Sequence, residues 1–138
     1  MNITDLSSLK LSDIMTPDLI TLSPEDNILE KGRVFKENNL HHIPVVTSEK
    51  EVVGMVSSKD IESFGNILRI MDSEKKGVPI REIMTVPIFS YYENVPVAEA
   101  AKAMIDNHIH AIVVADKNGK MVGIVTSTDI LKLVAKLG

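Results

Sequence analysis

A displacement of 69 residues lays this chain on itself. Ile14-Met15-Thr16 falls on Ile83-Met84-Thr85, Glu30 on Glu99, Asn38 on Asn107, His41 on His110, and Ile43 and Val45 on Ile112 and Val114. Further along, Val53-Gly54 matches Val122-Gly123, Val56 matches Val125, Ser58 matches Ser127, and Asp60-Ile61 matches Asp129-Ile130. Residues 11–61 and 80–130 share 14 identities in 51 positions without a gap, and differences such as Leu40/Ile109 and Ser57/Thr126 are conservative. Such a repeat restricts the fold because both copies must satisfy one plan of strands and helices. A half of roughly 60 residues buries only a marginal core alone, so the halves are expected to pack on each other. Similar units usually meet about a pseudo-two-fold axis, which predicts two equivalent grooves and ligand sites in pairs. The 138 residues divide into an N-terminal extension (1–10), a first repeat (11–61), a helix extension and linker (62–79) and a second repeat (80–138).

Each copy predicts the same order of elements. Leu19-Ile20-Thr21-Leu22 and Ile88-Phe89-Ser90-Tyr91 are short apolar stretches of strand character. Ser23-Pro24-Glu25-Asp26 then signals a helix start, with Ile28, Gly32, Phe35 and Asn39 along one face. Val97, Ala101 and Met104 form the matching stripe. Two β-branched runs follow, Ile43 to Val46 and Glu51 to Val56. Ala111 to Ala115 and Lys120 to Val125 answer them, with Asp116-Lys117-Asn118-Gly119 as a hairpin turn. A second helix starts near Ser58 or Ser127. The expected class is α/β of the α+β kind, two β-α-β-β-α repeats.

Several functions are excluded or made remote by residue usage. With 19 acidic against 15 basic residues and a net charge of −4 spread along the chain, no basic face is available and nucleic acid is not an expected partner. There is no cysteine, hence no disulfide, thiolate metal ligand or thiol nucleophile. The longest apolar runs, such as Ala111 to Ala115, are too short to span a bilayer, and the first residues carry Asp5 where a secretory leader carries basic residues. No membrane association is expected, and the expected location is the cytoplasm. Four histidines raise a metal-dependent hydrolase as an alternative, since imidazole is a common metal ligand. Their spacing is poor for it. His41 and His42 are adjacent, no His-x-x-x-His occurs, and a Gly-x-Ser-x-Gly elbow and a P-loop are both missing. Catalysis, a metal and an obligatory cofactor are therefore not expected.

The segments Gly54-Met55-Val56-Ser57-Ser58-Lys59-Asp60 and Gly123-Ile124-Val125-Thr126-Ser127-Thr128-Asp129 carry the chemistry. A carboxylate can accept both hydrogens of a vicinal diol, and the first turn of the following helix offers free N–H groups to a phosphate. The plain alternative is a capping box, in which Ser/Thr-x-x-Asp satisfies the helix start without any ligand. Recurrence at the same place in both repeats, directly after a glycine-containing strand, favours the ligand. Gly54 and Gly123 themselves permit close approach of a ligand or mark a strand bulge. Ile20 and Phe89 line a slot for a base or belong to the core.

These two segments, the Ile-Met-Thr pairs and Ile43-Pro44-Val45-Val46 together resemble the cystathionine-β-synthase-type (CBS) domain family, over nearly the whole chain. The second copy departs in having Val113 in place of proline, a minor packing change. The resemblance implies a tandem pair, or Bateman module, binding AMP, ADP, ATP or an S-adenosyl compound such as S-adenosylmethionine in clefts between the repeats. It assigns the ribose hydroxyls to Asp60 and Asp129, and the phosphate to Ser57, Thr126 and the helix starts. His41-His42 is similar to a His-Arg pair that meets nucleotide phosphates within the family. With His42 at the arginine position the charge is conditional near neutrality, so affinity for phosphate-rich ligands would rise as pH falls. His110 matches His41 while Ala111 replaces the second histidine, so the two clefts are expected to differ in phosphate preference. His108 is expected to be a solvated histidine. The family also implies a homodimer paired through helices and an unidentified effector protein that reads occupancy. The alternative is a ligand-independent interaction module. Its partner surface would be Ile67, Leu68, Ile70 and Met71, or Leu131, Leu133, Val134 and Leu137.

Overall fold

A computed structural model of the chain describes residues 6–17, 20–38, 40–70, 77–86 and 88–137. In chain order its elements are α1 (Leu11–Ile14), α2 (Ile28–Lys31), α3 (Arg33–Glu37), β1 (His42–Val46), β2 (Val52–Ser57), α4 (Ser58–Ile70) and a 3-10 turn (Ile80–Glu82). Then follow β3 (Ser90–Tyr92), α5 (Val97–Asn107), β4 (Ala111–Ala115), β5 (Met121–Thr126) and α6 (Ser127–Ala135). The fold is thus a mixed one with two sheets. It forms two compact units, a central unit of residues 20–88 and a terminal unit that joins residues before 20 to residues after 88.

In the central unit, β1 and β2 are an antiparallel pair running from His42 opposite Ser57 to Val45 opposite Gly54, with a register irregularity between Val45 and Val46. Single bridges widen this hairpin on both sides. Leu22 lies parallel to Val45, and Thr85 lies antiparallel to Met55 with backbone bonds of 2.8 and 3.1 Å. Leu22, Ile28, Phe35, Ile43, Val45, Val56 and Ile80 close the core. The strand expected at 19–22 is reduced to the Leu22 bridge, and Leu19 lies outside the described residues. Gly32 separates α2 from α3 only formally, since its φ of −56° and ψ of −33° and its bond to the Ile28 carbonyl keep a helical path. The expected helix extension is present as far as Ile70.

The terminal unit carries the sheet β3-β4-β5, with β3 parallel to β4 and β5 antiparallel to it. Thr16 bridges Ile124 at its edge. Leu11, Val97, Ala100, Met104, Ile112, Val114, Val125 and Leu133 form the core. The turn expected at 116–119 is built by the Asp116 carboxylate, which accepts from the N–H groups of Asn118 (2.8 Å) and Lys120 (3.0 Å), with Gly119 at φ 81°. In the central unit the same place is taken by Lys50 at φ 67°.

The spatial units and the sequence repeats cut the chain differently. The segment that leads the first repeat belongs to the terminal unit, and the segment that leads the second belongs to the central unit. Three backbone bonds appear once in each unit with the repeats exchanged. Ile80 N–H donates to the Asp26 carbonyl, as Leu11 does to Val95; Arg81 donates to Pro24, as Ser12 does to Glu93; Ile28 donates to Val78, as Val97 does to Leu9. Leu11 and Ile80 are both fully buried, so each leading segment is driven onto its unit by an apolar anchor as well as by backbone pairing. Beside those anchors, Met84 fills the space next to Gly54, and Met15 the space next to Gly123.

Candidate functional site

β2 runs directly into α4 and β5 into α6, so both Ser/Thr-x-x-Asp motifs stand where a strand becomes a helix. Helix starts carry backbone donors without intrahelical partners. Here most of them are satisfied in the same way in both units. Ser58 N–H donates to the His41 carbonyl and Ser127 N–H to the His110 carbonyl, each at 2.9 Å. Asp60 N–H donates to Ser57 Oγ at 3.1 Å, and Asp129 N–H to Thr126 Oγ1 at 3.3 Å. In return Ser57 N–H donates to Asp60 Oδ2 at 3.3 Å, and Thr126 N–H to Asp129 Oδ2 at 2.8 Å. Both motifs are capping boxes.

The boxes do not use up the polar groups. In each unit the cap engages Oδ2 of the aspartate, and Oδ1 accepts no hydrogen bond from any described residue. Neither carboxylate forms an ion pair among the described residues. Lys59 and Thr128, second in their helices, have backbone N–H groups that meet no acceptor among the described residues. The hydroxyls of Ser57 and Thr126 accept one bond and keep a proton to give. All four motif side chains are half-buried. The result is an anionic acceptor beside a helix-start donor, the pairing that a sugar diol attached to a phosphate or other hydrogen-bonding group requires.

Ser57, Asp60, His41 and His42 fall together in the central unit, and Thr126, Asp129 and His110 in the terminal unit. His41 and His110 are exposed and hold the helix starts through their main chains. His42 is half-buried and opens β1 opposite Ser57, the place Ala111 takes opposite Thr126. The second helical position carries exposed Lys59 in one unit and exposed Thr128 in the other, so the central motif has an additional cation beside it. His108 ends α5 in the left-handed conformation at φ 54°, exposed to solvent. Gly54 and Gly123 each adjoin a register irregularity, and the space beside them is occupied by the chain's own methionines, which the sequence did not reveal. Phe89 packs on the terminal core, while Ile20 is exposed. Of the apolar residues expected on a partner surface, Ile67, Leu131 and Val134 are exposed, but Leu133 is a core residue because it points from α6 onto the sheet cluster. Met71 lies outside the described residues. Among the described residues no three metal-ligating side chains gather, and no helix is long and apolar enough to cross a membrane.

A comparison with protein families decides the kinship of this site. The CBS domain profile matches residues 11–66 and 80–136. The chain belongs to the CBS domain family. The CBS domain pair of protein MJ0100, solved with 5′-methylthioadenosine and S-adenosyl-L-methionine, has 30% identity and a TM-score of 0.76, over 92% of this chain and 96% of that one. CBSX2, solved with AMP, shares the fold with a TM-score of 0.75 at 22% identity, over 92% and 96% of the two chains. Among curated relatives, protein MK0525 of Methanopyrus kandleri is 28% identical over 130 residues, 93% of this chain and 64% of its own. The homoserine O-acetyltransferase of Methanohalobium evestigatum is 34% identical over 129 residues, 94% of this chain and 25% of its own. The CBS pair described here thus spans between a quarter and just under two thirds of the length of these curated relatives.

Proposed function

We propose that this CBS pair is a non-catalytic regulatory module that binds an adenosine-containing ligand at its two Ser/Thr-x-x-Asp motifs and passes occupancy to a partner. The ligand is AMP, ADP, ATP or an S-adenosyl compound. Asp60 and Asp129 accept the ribose hydroxyls through the carboxylate oxygen that the cap leaves open. Ser57, Thr126 and the adjoining helix starts receive the phosphate or the group in its place, with His41, His42 and His110 alongside. The central motif, with Lys59 and His42, suits the more anionic ligand, and the terminal motif, with Thr128 and Ala111, the less charged one. The module acts in the cytoplasm as a homodimer, and the partner that reads it is an effector protein.

The observation that carries this reading is the open Oδ1 of each aspartate beside an unengaged helix-start N–H, present twice in the same form. The relatives solved with S-adenosyl-L-methionine and with AMP support the ligand class. Thermal unfolding with and without AMP, ADP, ATP and S-adenosylmethionine tests it, because a ligand at 100 times its Kd adds about 2.7 kcal/mol to the folded state. A shift with one of them is expected. No shift with any of the four at millimolar concentration would favour the ligand-independent interaction module, which the exposed Leu131 and Val134 also suit.

A further inference from the structure

Each leading segment ends its hold on its sheet with a methionine. Met84 Sδ stands 2.6 Å, and Met15 Sδ 2.7 Å, from the places where Cβ atoms of Gly54 and Gly123 would lie. Each thioether therefore rests on bare backbone, and the same side chains pack on the central and terminal core clusters. Just beyond them the segments are held by two backbone bonds apiece, Thr85 with Met55 at 2.8 and 3.1 Å and Thr16 with Ile124 at 2.9 and 3.2 Å. Thr16 and Thr85 are exposed, as are Pro17 and Val86 after them. The methionine is thus the last apolar contact that keeps each edge in place.

The residue type adds a chemistry that the packing does not need. Aliphatic side chains supply most of both cores, and among the described residues the only buried methionine is Met104, 5% exposed. Leucine would fill a seat of this size nearly as well, but only a thioether takes up oxygen. Met15 and Met84 are half-buried, so part of each residue reaches water. With no cysteine in the chain, the thioethers are its most readily oxidised side chains.

We propose that Met15 and Met84 are a matched pair of modification sites for hydrogen peroxide, and that conversion of either to its sulfoxide frees the edge it holds. The sulfur gives an electron pair to one peroxide oxygen, so that an S–O bond forms as the O–O bond breaks. The second oxygen leaves as hydroxide and takes a proton to become water; the sulfur is oxidised by two electrons and the peroxide reduced by two. The new oxygen is polar. It has no room on the glycine side, where the thioether already meets backbone, and on the other side it faces an apolar cluster, where an unpaired polar atom is costly. Turning to water relieves it, draws the methionine from its seat and leaves two exposed backbone bonds to hold the edge. Leu11 and Ile80 are fully buried and keep the start of each segment anchored, so the outcome is local fraying with the fold retained. The inference is independent of any ligand.

Hydrogen exchange reads such fraying directly. After peroxide treatment at neutral pH, with sulfoxides at 15 and 84 located by peptide mass spectrometry, the amides of Thr16, Met55, Thr85 and Ile124 are expected to exchange at least about tenfold faster. Val46 and Val113, which donate to Leu22 and Phe89 at the opposite edges of the two sheets, are expected to keep their protection. A Met15→Leu, Met84→Leu double variant is expected to show no change under the same treatment, although half-buried Met55 and Met121 remain open to oxidation. Each protein is compared with its own untreated sample, so a lower starting stability does not enter. Methionine sulfoxide reductases, one for each epimer, with dithiothreitol are expected to return the exchange to its untreated rate. The proposal is overturned by protein that carries both sulfoxides with the four amides still protected, or by a double leucine variant that frays as the wild type does. It is equally overturned by fast exchange that persists once the thioethers are restored, or by Met15 and Met84 staying reduced where Met55 and Met121 are fully converted. None of these measurements uses a nucleotide, so their failure and a failure of ligand binding are separate outcomes.

Discussion

Met84 takes the place of a side chain at Gly54. A Cβ built on that glycine would stand 2.6 Å from Met84 Sδ and 2.8 Å from its Cγ, closer than real Cβ atoms come. Met15 stands in the same relation to Gly123, with 2.7 and 2.9 Å for the same pair of atoms. The Met and Gly of each sequence repeat are thus partners across repeats, and each pair fastens a leading segment to the sheet of the other repeat.

Gly54→Ala should cost about 1–3 kcal/mol, the usual penalty for overpacking a fitted contact. Chemical denaturation measures it. Combining it with Met84→Ala should cost less than the sum of the two single changes, since removal of the thioether makes room for the new methyl group. Gly123→Ala should cost more than Gly54→Ala, because the Thr16 carbonyl oxygen also lies 3.0 Å from its Cβ position and backbone yields less than a side chain.

Asp60→Asn and Asp60→Ala should separate capping from ligand binding. Asparagine can still accept the Ser57 N–H, so stability should hold, whereas alanine should lose about 1 kcal/mol with the cap. Both should weaken nucleotide binding at the central motif by about 1.5–3 kcal/mol, the worth of a charge-assisted hydrogen bond. Calorimetric titration of both variants, and of the same changes at Asp129, reads the effect. Undiminished affinity with Asn at both positions would remove the aspartates from the site.

Lys50→Gly should stabilise the chain by about 1 kcal/mol, because Lys50 holds φ 67°, where a Cβ is strained. The melting temperature should rise accordingly. The converse change, Gly119→Ala, should lower it, since Gly119 occupies the matching place at φ 81°.

Arg81→Ala should leave the melting temperature unchanged within error. Its guanidinium reaches Glu25 and Glu82, each at 2.8 Å, and the hydrogen bond and charge of Glu25, then those of Glu82, raise its pKa. The group is already cationic at every ordinary pH, and its partners are exposed, where such pairs add little. The contact that holds this segment is the backbone bond from Arg81 N–H to the Pro24 carbonyl, which alanine keeps.

The repeat, the order of elements and the two motif positions were legible in the sequence because each rests on local pattern. Short β-branched apolar runs mark β1, β2, β4 and β5, and Ser57-x-x-Asp60 marks a helix start whether or not a ligand follows. The crossing of the leading segments was not legible. Leu11 and Ile80 are apolar in either arrangement, and identical triplets beside identical glycines do not say which pairs with which. Leu133 misled for a related reason, since α6 has apolar residues on more than one face and only the packing tells Leu133 from Leu131 and Val134. Nor could short spacing rules reveal that the caps use one carboxylate oxygen and leave the other, because that depends on side-chain rotation.

The crossed arrangement also sets a timetable for synthesis. As the chain leaves the ribosome, everything the central unit needs has emerged by residue 88, while Leu11 and Met15, made before that unit, wait for β4, β5 and α6 to arrive. Domains tend to fold as they emerge, so one unit can close early around a continuous stretch and the other must recruit a segment made well before the rest of it. A circular permutant opened between residues 19 and 20, with the old ends joined, would make both halves continuous and abolish that wait.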